Sequence, residues 1–438
     1  MIAVDTQNLS RTLGDVSWQN AGRLVAAKEV LTARIEARLG ELCNIYLEDG
    51  SSVLAEVIGF DQGFAQLMCF QYADGTKHGD LVTGCNRRLM VPTGNHLLGR
   101  VIDATGSPLD GGPDFDAYPQ AELVNNTPDA MSRARIDKPF ATGQRTIDTL
   151  VTCGRGQRVA LMAGSGVGKS MLLGEIAKGA EADVNVVALI GERGREVQPF
   201  LQDCLRDGLN KSVVVVATSE QTALTRVRGA QTAITIADAF RQQGLNVLLL
   251  LDSVTRLAMA QREIGLSLGE PPGPRGYTPS VFRVLATLLE QLGTSPNGSI
   301  TGVLTVLVDG DDFDEPITDA VRSFVDGHIV LSRRLAERGH FPAIDVSSSV
   351  SRLFHEITTP AHRAAAFAVR EIWTTLSEVE DLVRIGAYQR GASPKVDLAM
   401  ALERELQQFL RQDVGDRTSM DNAIETLSQL AGRWRQVA

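Results

Sequence analysis

The chain has 438 residues, more than one hydrophobic core sustains, because single cores stop growing at about 250–300 residues; two or three domains are expected. An apolar fraction of 43% and a charged fraction of 22% are those of a folded protein and exclude a largely disordered chain. A net charge of −10 argues against a general nucleic-acid binder, which needs clustered Lys and Arg, and no apolar run approaches the ~20 residues of a membrane span.

The first residues carry Asp5 before any basic residue and no apolar stretch, so they do not read as a secretory signal, and a cytoplasmic location is expected. Five scattered cysteines, Cys43, Cys69, Cys85, Cys153 and Cys204, contain no Cys-x-x-Cys pair and suit reduced thiols. From about residue 22 to 92, short alternating segments at 44–47, 52–58 and 64–68 are separated by Asp-Gly and Gln-Gly turns, the texture of a small β-barrel. Residues 94–139 are rich in Gly, Pro and Asp with little periodicity and read as a connecting segment.

From residue 158 the character changes. Near-continuous apolar strands at 158–162, 184–190, 213–217, 247–251, 303–308 and 328–331 alternate with helical stretches. Strands apolar on both faces predict a parallel sheet covered by helices, an α/β core. Beyond Pro360 the pattern is helical, with stretches at 361–376 and 398–410. The predicted domains are therefore a barrel over 1–93, an α/β domain over 94–360 and a helical domain over 361–438.

The first buried strand runs into Gly164, Ser165, Gly166, Val167, Gly168, Lys169 and Ser170, then into a helix from Met171. Strand, glycine-rich loop and helix in that order form a phosphate-binding loop, in which backbone N–H groups close around phosphates at a helix N-terminus. Lys169 is expected to reach the β and γ phosphates of ATP, and Ser170 to ligate Mg²⁺. Ala163 occupies the position of the first consensus glycine. The apolar strand ending at Leu251 is followed by Asp252, the carboxylate that holds Mg²⁺ through its water shell in such enzymes. The strand ending at Ile190 leads into Gly191, Glu192, Arg193, Gly194, Arg195 and Glu196, charged groups at a strand end where α/β folds bind ligands. Glu192 is the candidate water-polarising base, Arg193 a neutraliser of γ-phosphate charge and Glu196 a more distant metal partner.

With these segments in view, the chain resembles the type III secretion ATPases, relatives of the catalytic subunit of rotary F-type ATP synthase. The likeness spans nearly the whole length. It rests on residues 164–170, 191–197 and 251–256, on Gly269 to Tyr277, and on Phe341 to Asp345 leading to Arg352. The resemblance implies a barrel, a RecA-like P-loop domain and a helical C-terminal domain, assembled as a homo-hexameric ring. It implies that Glu192 is the catalytic glutamate, Arg193 faces phosphate, Phe341 packs on adenine and Arg352 is an arginine finger offered to the neighbouring subunit. Residues 309–316 and 269–277 would then face a central hole that receives a coiled-coil stalk, and the carboxylates there suit a basic partner.

The signature Ile385, Gly386, Ala387, Tyr388, with Gly391 and Asp397 beyond, is similar to the export group and lacks the acidic run of the synthase subunit. That implies Mg·ATP hydrolysis energising protein export, most like the flagellar system, peripherally at a membrane export apparatus, with an export gate, secretion substrates and chaperones as partners. The segment 5–13 is a candidate contact for a regulatory partner. An injectisome-type ATPase is the alternative, and a ring-shaped RNA or DNA translocase a more distant one. The translocase needs aromatics interleaved with basic residues, whereas residues 40–90 hold acids such as Glu41, Glu48, Asp49 and Glu56; no nucleic-acid partner is expected.

Overall fold

A computed structural model describes residues 20–123, 127–308 and 312–435. The segment 5–13 and Asp311 lie outside the described residues. The chain divides into two compact units, the first reaching Met90 and taking in Ser267–Gly269, the second holding the remainder.

The first unit is a closed six-stranded barrel of β1 (Ala21–Ala26), β2 (Leu31–Arg34), β3 (Leu42–Tyr46), β4 (Ser52–Asp61), β5 (Phe64–Cys69) and β6 (Leu81–Gly84). Its strand order is β1-β2-β5-β4-β3-β6 with antiparallel neighbours throughout. Alternation does the sorting here. On β3, Cys43 and Ile45 are fully buried and join Val57, Leu67 and Val82 inside, while Tyr46 is exposed. The Gln-Gly pair read from the sequence is the two-residue turn between β4 and β5, with Gln62 and Gly63 both at positive φ and Asp61 opposite Phe64.

The second unit is built on a sheet of β7 (Val101–Asp103), β8 (Arg158–Ala163), β9 (Val184–Ile190), β10 (Ser212–Ala217), β11 (Asn246–Asp252), β12 (Ser299–Leu307), β13 (Gly327–Leu331) and β14 (Ile344–Ser351). Its order is β14-β13-β8-β12-β11-β9-β10-β7. All pairings along it are parallel except β13 with β14. Every residue of β9 and β10 is buried, as expected of strands covered on both faces. Two strands escape the sequence pattern. The β7 strand has only three residues, too few to show a period, and lies in the segment read as a connection. The serine-rich β14 forms the antiparallel edge.

Four helices matter for the site and its surroundings: α1 (Arg145–Leu150), α2 (Lys169–Gly179), α3 (Ala223–Gln242) and α4 (Pro316–Phe324). After residue 359 come α5 (Pro360–Arg384), α6 (Pro394–Leu410) and α7 (Met420–Trp434). Each of these three starts on a hydroxyl cap, Thr359, Ser393 or Ser419, accepting the N–H three residues on, and α5 and α6 carry proline at the first helical position. Their inner faces, including Trp373, Leu402, Leu406, Leu427 and Trp434, share one hydrophobic core with β8 and α2. No helix among the described residues is long and apolar enough to cross a membrane.

Candidate nucleotide site

Parallel strands deliver their C-terminal ends to one edge of a sheet, and the register here collects the predicted residues at that edge. Ala163 ends β8 opposite Leu307 and Leu331, and its buried methyl belongs to the core. This is why alanine serves where a glycine was expected. The loop then turns through Gly168, whose φ of 88° lies in the left-handed region and which precedes α2 directly. A Cβ there would stand 3.4 Å from the Phe341 ring. Ser165, Gly166, Ser170 and Met171 are exposed at the loop and the start of α2, which leaves backbone N–H groups and the positive helix end open to an anion.

Asp252 ends β11 opposite Leu189 of β9, so Glu192, three residues beyond Leu189, emerges beside it. Gly191 makes that exit possible. Its φ is 74°, and a Cβ would fall 2.6 Å from the Arg256 Cβ. The Lys169 Nζ donates to Asp252 Oδ1 at 2.6 Å and to Glu192 Oε1 at 3.2 Å. The Thr305 hydroxyl, from the neighbouring β12, donates to the same Asp252 oxygen at 2.7 Å.

These groups are removed from solvent, with Lys169 12%, Glu192 19% and Asp252 4% exposed in their side chains. Burial, reinforced by the negative Asp252, pushes the Glu192 carboxyl above its ordinary range against the pull of Lys169. Burial alone would lower the Lys169 ammonium, but Asp252 and then Glu192 outweigh it and hold the pKa above that of a free lysine. The lysine is therefore committed chiefly to Asp252. A carboxyl with heightened proton affinity is left beside it, the condition of a group suited to take a proton.

Arg193 and Glu196 do not join this cluster. They pair with each other at 3.5 Å and are 61% and 49% exposed. Arg352 is also elsewhere: Ser351 pairs with Gly327 at the start of β13, whereas the phosphate loop leaves the sheet opposite Leu331 at its end. Four residues of strand at ~3.3 Å each separate the two edges by about 13 Å. The Arg352 guanidinium is exposed and donates to the Arg322 carbonyl at 3.0 Å.

Phe341 is 46% exposed and faces a cavity of about 360 Å³ beside the loop, lined also by Val167, Gly168, Met171, Gln412 and Val414. A largely apolar cavity of this size next to a phosphate cradle has the size and lining of a small-molecule site. Sequence reading missed Gln412 and Val414, which lie beyond α6 with no local signal. It also passed over Arg256, quoted only within a motif, whose buried Nε has no hydrogen-bond partner among the described residues although the side chain lies against Gly191. Among the described residues no cluster of three or more His, Cys, Asp or Glu could hold a metal.

Comparison with known proteins shows the family. Residues 143–351 match the model of the ATP synthase alpha/beta family, nucleotide-binding domain, and residues 358–429 that of the T3SS EscN ATPase C-terminal domain. The chain is 47% identical over 424 residues to the flagellum-specific ATP synthase of Bacillus subtilis, covering 95% of this chain and 96% of the relative. The assembled ATPase EscN of the enteropathogenic E. coli type III secretion system superposes with a TM-score of 0.88 at 44% identity, over 94% of this chain and 100% of EscN. The same ATPase in complex with its central stalk EscO gives 0.87 at 44% identity, with the same coverage. With a lysine-bearing phosphate loop and a strand-end aspartate at one sheet edge, and with likeness over nearly its whole length, the chain belongs to the type III secretion ATPases, ATP-hydrolysing enzymes of the ATP synthase alpha/beta family.

Proposed function

We propose that this chain hydrolyses Mg·ATP in a homo-hexameric ring and energises protein export through a flagellar type III apparatus. The observation that carries the catalytic reading is the Lys169–Asp252–Glu192 cluster. Two carboxylates against one ammonium leave an excess negative charge, so a triphosphate enters with a cation. Ser170 and Asp252 are the residues that would hold Mg²⁺, with Glu196 further out. The ion supplies charge neutralisation at the β and γ phosphates when bound.

Lys169 exchanges Asp252 for phosphate oxygens, and the backbone of residues 164–168 cradles the rest. Glu192 orients a water and accepts its proton. Arg193 swings from Glu196 toward the γ phosphate, and Phe341 stacks on the base. Arg352 cannot serve the phosphate loop of its own chain from the far edge of the sheet, which favours action in trans on a neighbour. Lys169→Ala should abolish ATP binding while the far-ultraviolet circular dichroism stays native; tight Mg·ATP binding by this variant would reject the site.

The stalk reading rests on the EscO complex of the relative together with two loops here. Arg275, in the 269–277 segment, is ion-paired with Asp312, so one of the acidic groups is already neutralised within the chain, and Asp314 is left to meet a basic stalk. The chain acts peripherally at the membrane export apparatus, with the export gate and chaperoned substrates as further partners. The flagellar assignment draws on the B. subtilis relative. It is tested by restoring swimming to a strain lacking its flagellar export ATPase; restoration only of injectisome secretion would favour the other system.

A further inference from the structure

One wall of the base cavity comes from outside the sheet. Residues 412–414 follow α6 and return across the mouth of the phosphate loop. Arg145, the first residue of α1, makes most of the bonds that hold them there, beside a Thr146 hydroxyl donated to the Leu410 carbonyl and a Gly415 N–H donated to Glu175 of α2. Its guanidinium is spread over this strap: Nε donates to the Phe409 carbonyl at 3.3 Å, Nη2 to the Arg411 carbonyl, and Nη1 to Asp416 Oδ2 at 2.8 Å and Thr418 Oγ1 at 3.2 Å. Its backbone N–H donates to Gln412 Oε1 at 2.8 Å.

Gln412 passes the restraint inward. Its Nε2 donates to the Gly143 and Asp416 carbonyls at 2.8 and 2.7 Å, and its backbone N–H donates to the Phe341 carbonyl at 2.9 Å. The clasp thus sets the Phe341 wall and the Val414 wall against each other. Arg145 itself does not line the cavity. It is 16% exposed in its side chain, and it caps carbonyls at the C-terminal end of α6, where a cation is also favoured by the helix dipole.

The geometry points to Arg145 as a positioning residue for nucleotide binding, which preorganises the helical-region wall of the base cavity through Gln412. This rests on the reading that the cavity takes the base. A preformed wall contributes affinity because its ordering is not charged to the binding step. The helix α2 that begins with Lys169 meets the strap through Glu175 Oε2, which accepts the Gly415 N–H at 3.0 Å; that contact does not involve Arg145, so opening the clasp should leave the Lys169 cluster in place.

The test measures kcat and KM for ATP with the full-length chain, together with hydrogen exchange of the peptide spanning 409–418, in Arg145→Ala, Arg145→Lys and Gln412→Ala. Arg145→Ala should raise KM about tenfold with kcat within twofold, and should speed exchange of the strap at least tenfold. A saturating non-hydrolysable ATP analogue should slow that exchange again. Arg145→Lys, which reaches one partner but not all of them, should be intermediate. Gln412→Ala should reproduce the KM rise and stands in if Arg145→Ala does not fold. Phe341→Ala separates the two levels of the argument. If it raises KM while the clasp variants do not, the clasp proposal is overturned and the cavity reading stands. If neither raises KM, both fall. Faster strap exchange at unchanged KM, or a loss confined to kcat, also overturns the proposal.

Discussion

Glu192→Gln should make the protein a far poorer enzyme and a more stable fold at the same time. In the cluster, Glu192 lies 3.2 Å from the Lys169 ammonium, yet burial and the nearby Asp252 raise its proton affinity. Loss of a positioned base typically costs about 10²–10⁴ in rate, or about 2.7–5.4 kcal/mol of barrier at about 1.36 kcal/mol per tenfold. The stability effect has the opposite sign. A carboxyl whose folded pKa is raised favours the fold fully below its ordinary value near 4.5, and that contribution is lost as pH rises through the higher folded value. Each tenfold excess in proton affinity is worth about 1.4 kcal/mol.

Glutamine, nearly isosteric with the protonated acid, has no proton to lose. Variant and wild type should therefore unfold alike below about pH 4.5. The variant should pull ahead as pH rises, then run parallel above the raised pKa. The assay is urea unfolding of the nucleotide-free proteins across that range, beside steady-state phosphate release. Wild-type turnover by the variant would remove Glu192 as the base. A variant less stable than wild type at neutral pH would refute the electrostatic account, since it would mean that the Lys169 contact outweighs burial and Asp252.

Arg352→Ala and Lys169→Ala subunits, each inactive alone, should recover partial ATPase activity when mixed, because a mixed interface pairs an intact loop with an intact finger. Full activity of dilute, demonstrably monomeric wild type would rule out a shared site. Changing Asp312 and Asp314 to Asn together should weaken binding of a basic stalk protein and flatten its salt dependence with basal ATPase preserved; unchanged affinity at low salt would take the loop out of the interface. Thr305→Val, which deletes the hydroxyl held on Asp252, should lower stability by about 1–3 kcal/mol, read from the urea midpoint. No change there would mean that Lys169 alone satisfies the buried carboxylate.

The parts legible in the sequence were those whose signal is local. Fully apolar runs such as 184–190 declare buried parallel strands, and the glycine-rich loop between strand and helix declares its chemistry. The strap at 412–414 is different. Nothing in a short polar stretch after a helix says that it folds back 267 residues to meet Arg145, and the partnership exists only in three dimensions. Val101–Asp103 was hidden for a simpler reason, since three residues show no period and the strand is recognisable only by its pairing with Val214–Val216. The mutual pairing of Arg193 and Glu196, and of Arg275 and Asp312, was likewise invisible, because spacing says that charges are near but not which of them are satisfied.

The placement of Arg352 at the edge of the sheet opposite the phosphate loop has a consequence for counting. If Arg352 serves a neighbour's site, each chain has a donor edge and an acceptor edge and associates head to tail, and such contacts either close into a ring or run on as an open filament. If each interface makes one working centre, an isolated pair of chains owns a single centre, every open chain of subunits has one fewer than its members, and only closure brings the two numbers into register. Turnover per polypeptide would then rise most steeply at the first pairing, from none to one centre for two chains, and more gently as subunits are added, reaching its full value only on closure, and subunits waiting to assemble would hold their nucleotide without consuming it.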